Sequence, residues 1–335
     1  MSRPEPVTLL DPEKQLGVFA EYYRSKINMR SLARFRAAVD ECGLHFSPDE
    51  LTIMAALDTP AKVQEFLNTQ VWYNNDHSSA ELEETAMPPR LILQTAQAHC
   101  FEGATFAFVV NFLHGHKPKW ALLEAYQDSE HNLVIMRDEA TGLYGCNAHS
   151  RYPHLDGRES EFRTVRALAE SYAPWYYSDR TNDPRDITLV GYSEPFDLVA
   201  KYGWRWMDSS EPLWDIYYTY VDDSIVFHYL YDDSDATHLY PVIRALKEKW
   251  ILIGERGSGT VDVGSLPPSA QSLWREYWQV HDPEVRPARG KARELELAFF
   301  KITGTTPLDL ADNADDLQWL VSAGYRPEVL LQKPK

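Results

Sequence analysis

The chain has 335 residues, 44% of them apolar and 13% aromatic, enough to bury one large core or two ordinary ones, which excludes a disordered protein. A net charge of −17, from 50 acidic against 33 basic residues, repels a nucleic-acid backbone overall. No apolar run reaches the roughly 18 residues of a membrane span, "MSRPEPVTLLDPEKQ" lacks a basic region followed by an apolar core, and Cys42, Cys100 and Cys146 form no CxxC pair, which argues against a signal peptide, a disulfide framework or a thiolate zinc site.

Residues 1–50 read as a helical lead-in. Leu16, Phe19, Tyr23 and Ile27, then Leu32, Phe35 and Val39, recur at spacings near three and four, and Gly43 is a stop signal. Two further helix starts follow, each a capping residue before a proline: Ser47-Pro48 and Thr59-Pro60, the second leading into an apolar face of Val63, Phe66 and Leu67. "VWYNNDHSSAELEETAMPP" reads as a polar loop. A central helix runs from about Cys100 to His114 and ends at Gly115. "PKWALLEAYQ" and "HNLVIMR" then read as strands joined by a short polar connection. The turn "DEATG" leads to a third strand, "LYGCNAHS". Short turns imply antiparallel neighbours, so the expected fold class is α+β, with the central helix packed on an antiparallel sheet. "TVRALAESYAPWYY" is a further helix that Pro174 should end, and the tail from about Gln271 is mainly helical. The expected organisation is a lead-in over 1–50, a domain with an aromatic-rich extension over 51–280, and a helical tail over 281–335. A composition break near 280–292 marks the last boundary.

Cys100 is the residue that carries chemistry. At a helix start its thiol faces unpaired N–H groups and the positive end of the dipole, which both favour thiolate. Gly103 and Ala104 permit close approach of neighbouring backbone. His131, 31 residues on, opens a strand expected to pack against the helix's N-terminus and is the natural base. Adjacent His99 is expected to point away from Cys100. His114 and His116 lie about 20 Å down the helix. A third group should orient the imidazole, and the returning strand brings either Asn147 or Ser150 level with His131. The backbone N–H of Cys100 is one candidate oxyanion donor; Gln97, nearby, is another.

Cysteine at a helix start, histidine opening a strand, then a polar residue on the next antiparallel strand is the order that resembles transglutaminase-like cysteine enzymes. The stretches that carry it are "AHCFEGATFAFVVNFLHGHKP", "DSEHNLVIMR", "GLYGCNAHSRYPHLDGRESEFRTVRALAESY" and "TLVGYSEPFDL", over about 60–215. They look like an uncharacterised bacterial group in that superfamily. The superfamily's usual aspartate, some sixteen residues after the histidine, is replaced by Asn147, so the set resembles the papain-type Cys-His-Asn triad. Ser150, in an "H-S" followed by an aromatic, is the alternative third member. Resemblance to papain-like enzymes also implies Gln94, six residues before the cysteine, as oxyanion donor. The implied fold is a transglutaminase-like or papain-like core.

Other motifs read as structural. Cys42 and Cys146 are core thiols, Cys146 on the strand face opposite Asn147. "HGH" (His114 to His116) is a helix-end cap rather than a metal pair. "GERGSGT" lacks the lysine of a phosphate loop. "YDDSDATH" and "VDDS" lack a calcium loop's glycine and distal glutamate. "RPARGKAR" is a solvated linker. "WRWMDSSEPLWDIYYTY" is core plus a wall of the site. Arg158 anchors the loop after the third strand by pairing with a carboxylate.

The expected function is a cysteine-dependent hydrolase or acyltransferase. It acts on an amide or peptide bond of a protein or peptide substrate, through Cys100, His131 and Asn147 (or Ser150) and a thioester. Hydrolysis is favoured because no calcium loop is evident. The alternative is an inactive binding module of the same fold. No cofactor or metal, no nucleic-acid partner and no membrane association is expected, and the location is cytoplasmic. Oligomeric state stays open.

Overall fold

Three side chains start the N-terminal helices. In a computed structural model, which describes residues 12–74, 85–125, 129–176, 188–221, 224–230, 263–280, 295, 298–299 and 301–303, Asn28 Oδ1 accepts from the N–H groups of Arg30 (2.9 Å) and Ser31 (3.3 Å). Ser47 and Glu50 close a reciprocal capping box, and Thr59 Oγ1 accepts from Lys62 N at 3.3 Å. These caps begin α2 (Met29–Glu41), α3 (Pro48–Ala56) and α4 (Pro60–Gln70), after α1 (Pro12–Arg24). Gly43, at φ +63°, ends α2 as its position indicated. The segments "YDDSDATH", "GERGSGT" and "RPARGKAR" and the tail beyond 303 lie outside the described residues, as does most of the break near 280–292.

Part of the expected polar loop has regular structure. Trp72–Tyr73 (β1) pairs in parallel with Gln97–Ala98 (β2), and between them lies the short helix α5 (Pro89–Thr95). Arg90 of α5 grips the nearly buried Glu50 carboxylate at 3.1 Å and donates to the His45 carbonyl at 2.8 Å, tying α5 to α3. The lead-in belongs to the main core: Phe19, Phe35, Phe66 and Phe106 share one cluster, with Phe66 and Phe106 stacked at 5.0 Å.

Helix α6 (Cys100–Leu113) is mostly apolar, and every residue from Phe101 to Asn111 is buried. Helices α2, α4 and α5 pack on one side of it and the sheet, through the strand that begins at His131, on the other. The sheet has six antiparallel strands in the order β6-β5-β4-β3-β7-β8: β3 (Lys119–Ala125), β4 (His131–Arg137), β5 (Tyr144–Asn147), β6 (Arg158–Phe162), β7 (Leu189–Ser193) and β8 (Phe227–Tyr229). The α+β class and the antiparallel sheet are as expected. Val134 and Met136 join the α6 core, while Leu133 and Ile135 pack on the other face with Leu168 of α7 (Val165–Glu170) and Tyr172. Arg158, expected in a loop, begins β6.

The aromatic-rich segment divides as its pattern suggests. Trp206, Met207, Leu213 and Ile216 enter the core; Trp204 (44% exposed) stays outside, as does Tyr218 (51%) at the end of α9 (Trp214–Tyr217), which follows α8 (Leu198–Tyr202). The tail helix α10 (Pro268–Val280) buries Ala270 and Trp274 against Phe299. Among the described residues no helix is long and apolar enough to cross a membrane.

The two histidines after α6 tie its end to the α3–α4 junction. His114 Nε2 donates to the Met54 carbonyl at 3.0 Å, and His116 Nε2 to that of Asp58 at 3.1 Å. Burial pushes the His114 imidazole down to about 4, against the opposing pull of the Met54 carbonyl. Its folded value lies below the unfolded one of about 6.5, so its contribution is complete above that pH and is lost as pH falls toward 4. Thermal melts are expected to weaken over this range, and less steeply in His114→Gln, which keeps the donor. Parallel curves for the two proteins would show that His114 does not titrate there.

Candidate active site

The local chain at Cys100 is set by a cap. His99 has extended backbone (φ −91°, ψ −172°), and its ring folds back so that Nδ1 faces the Phe101 N–H at 3.2 Å. Glu102, three residues on, accepts from the His99 N–H at 2.9 Å. The same buried carboxylate accepts from Thr85 Oγ1 (2.7 Å) and the Met87 N–H (2.8 Å), which pins the 85–87 segment to the helix start. His99 Nε2 donates to the Thr85 carbonyl at 2.6 Å. This corrects the expectation that His99 points away: its ring hydrogen-bonds the Cys100 sulfur. The spacing of Glu102 three after His99 was the available signal, hidden because histidine is an uncommon cap.

Cys100 is half-buried at the first position of α6. Its sulfur lies 3.9 Å from the Glu130 carbonyl and 3.6 Å from Nδ2 of Asn132, which donates to it. Strand alternation puts Asn132 on the helix face of β4 and His131 on the opposite face. Both reach the sulfur because it sits at the strand's first residues rather than over its middle. Burial by itself would raise the thiol. The hydrogen bonds of His131 and His99, and their charges, outweigh that and hold it well below the ordinary thiol value. Cys42 and Cys146 differ: burial pushes both up, with Glu41 adding to it at Cys42. Cys146 lies on the far face against the Tyr172 hydroxyl at 3.1 Å.

His131 Nε2 donates to the main-chain carbonyl of Leu155 at 2.7 Å. That fixes the proton on Nε2 and leaves Nδ1 as the basic nitrogen for the sulfur. Tyr172 packs edge-on to the ring at 6.1 Å, and the Tyr176 hydroxyl donates to the Ser129 carbonyl just before it. The Leu155 loop is clamped by Arg158, whose guanidinium donates to the carbonyls of His154 (2.7 Å) and Asp156 (2.7 Å) and lies 3.9 Å over the Tyr172 ring. Arg158 is thus the expected anchor, through main-chain carbonyls instead of a carboxylate.

Asn147 does not orient the imidazole. The β4–β5 register pairs it with Val134, three residues past His131, and that odd offset puts it on the α6 face. There its Oδ1 accepts from Asn111 Nδ2 (2.8 Å) and its Nδ2 donates to the Pro60 carbonyl (2.9 Å) and Gln64 Oε1 (3.2 Å). The same register extended would bring residue 150 opposite His131. Yet the Ser150 hydroxyl accepts from the Tyr152 N–H at 3.0 Å, and its own N–H donates to the buried Asp156 carboxylate at 3.1 Å. The place of the third member is taken by the Leu155 carbonyl. Gln64 pairs with both the N–H (3.0 Å) and the carbonyl (2.7 Å) of Ala148, holding this corner against α4. Gly103 is required here: a Cβ on it would meet His149 Cβ at 2.5 Å.

Gln94 lies in the last turn of α5, from which Ala96, at φ +54°, turns the chain into β2. The amide beside the sulfur belongs instead to Asn132. On the outer side, Tyr217 packs edge-on to the rings of His99 (6.1 Å) and Phe101 (5.1 Å). Trp214 follows it at 5.5 Å and lines a groove of about 410 Å³ with Tyr202, Trp206, Leu213 and Asp215. Among the described residues no three histidine, cysteine or carboxylate side chains converge as metal ligands.

A scan against protein-family models finds no match, and a search of curated proteins finds no similar sequence.

Proposed function

We propose that this chain is a transglutaminase-like cysteine hydrolase or acyltransferase acting on an amide or peptide bond of a protein or peptide substrate. The carrying observation is the Cys100 sulfur at the head of a buried helix, with the imidazoles of His131 and His99 both bonded to it. In the reaction the thiolate attacks the carbonyl carbon, and a C–S bond forms. The oxyanion is met by the Cys100 N–H, which as a first-turn group has no acceptor within the helix, and by the Asn132 amide. His131 Nδ1 gives its proton to the leaving nitrogen as the C–N bond breaks. Water or an amine then attacks the thioester, returns a proton to Nδ1 and frees the thiolate. The papain-like or transglutaminase-like core and a cytoplasmic location belong to the same proposal.

The test is to acid-quench the protein with a library of peptide amides, then to measure intact mass. A thioester adduct on Cys100, released by hydroxylamine as a hydroxamate, is expected. The second reading, an inactive binding module, is favoured by one feature: His131 is oriented by a main-chain carbonyl and not a carboxylate. Absence of any adduct or turnover across the library would decide for it.

A further inference from the structure

A buried carboxylate stands beside His99. Glu102 is fully buried, and its Oε1 lies 3.5 Å from His99 Nε2, itself bonded to the Thr85 carbonyl at 2.6 Å. His99 is only 8% exposed. Nε2 is held by that carbonyl, Nδ1 faces the Phe101 N–H at 3.2 Å, and the ring also bonds the sulfur. We propose that His99 is a second catalytic histidine, a cation held by Glu102 and Thr85 that keeps Cys100 as a thiolate while His131 moves protons. This rests on the proposed cysteine chemistry and deepens it: with His99 as the fixed counter-ion, the sulfur can leave as a thiolate when the C–S bond of the thioester breaks, while His131 takes the proton of the attacking water or amine.

The titratable groups that face His99 are Cys100 and Glu102 from its own helix and Tyr217 from α9; His131 faces the same sulfur from β4. Burial opposes protonation of His99, but the sulfur, the Glu102 carboxylate and the Thr85 carbonyl together push it up to about 10. Glu102 is a positioning residue, acting through His99. A neutral ring, accepting from the Phe101 N–H as an ordinary cap, is the competing state of the same geometry.

The two are separated by the pH profile of Cys100 alkylation with iodoacetamide, followed by mass spectrometry. His99→Asn keeps a cap acceptor and removes the cation. In that variant the rate at pH 6 is expected to drop about tenfold or more, with the inflection moving up by about one pH unit. An unchanged profile overturns the proposal. Histidine-labelled NMR of the unsubstituted protein gives the second measurement: His99 should be protonated at pH 7 and lose that proton in Cys100→Ala. A neutral His99 at pH 7 overturns it equally, whether or not His99→Asn folds. Neither readout needs a substrate, so failure here is distinct from failure to find an acyl adduct.

Discussion

Cys100→Ala is expected to keep the fold and to lose turnover on any amide substrate by at least about 10⁴-fold, the scale of nucleophile removal where a helper group cannot substitute. The fold should survive because Cys100 is half-buried at a helix start, where its neighbours Phe101 and Ala104 carry the packing. No other thiol can take over. Cys146 lies on the far face of the sheet, and Cys42 ends α2. In the unsubstituted protein, alkylation at pH 6 should therefore strike Cys100 first, by roughly tenfold or more over Cys42, with Cys146 last. The preference follows from thiolate fraction, reduced by the lower nucleophilicity of a low-pKa thiolate. Faster labelling of Cys42 or Cys146 would remove the basis for treating Cys100 as the nucleophile.

What the sequence displayed, and what it hid, follows from the range of each interaction. Ser47-Pro48 and Thr59-Pro60 mark helix starts because caps act within three residues. The central helix and the strand over His131–Arg137 were legible from apolar pattern and turn residues. Helix α5 was not: seven residues, begun at Pro89 with no side-chain cap bond, are too few for a period to show. The third-member assignment failed on parity. The hairpin closes with Arg137 opposite Tyr144, which leaves Asn147 three residues from the level of His131, and an odd offset moves a side chain to the other face. That error sent Asn147 toward His131 when it belongs with Asn111 and Gln64. The Leu155 carbonyl could not be found at all, because every residue has one. Asn132 was overlooked because neighbours on a strand diverge, and only the sulfur's place at the strand end lets both Asn132 and His131 reach it.

His131→Gln is expected to separate two kinds of substrate. The glutamine amide can still donate to the Leu155 carbonyl, so the clamp on the 153–157 loop by Arg158 and Tyr172 should hold. What disappears is the proton that Nδ1 delivers to a departing amine. An amine cannot leave as an anion at neutral pH, so amide turnover should fall by about 10²–10⁴-fold, the usual worth of a general acid. A nitrophenyl ester of the same acyl group releases a stable anion and needs no such proton. Its acylation burst should fall far less, since the helix start, Asn132 and His99 still support the thiolate. The measurement is the ratio of amide to ester acylation rates in the two proteins. An equal loss on both would mean that His131 serves to ionise the sulfur and not to protonate the leaving group, and the division of labour between the two histidines would have to be reversed.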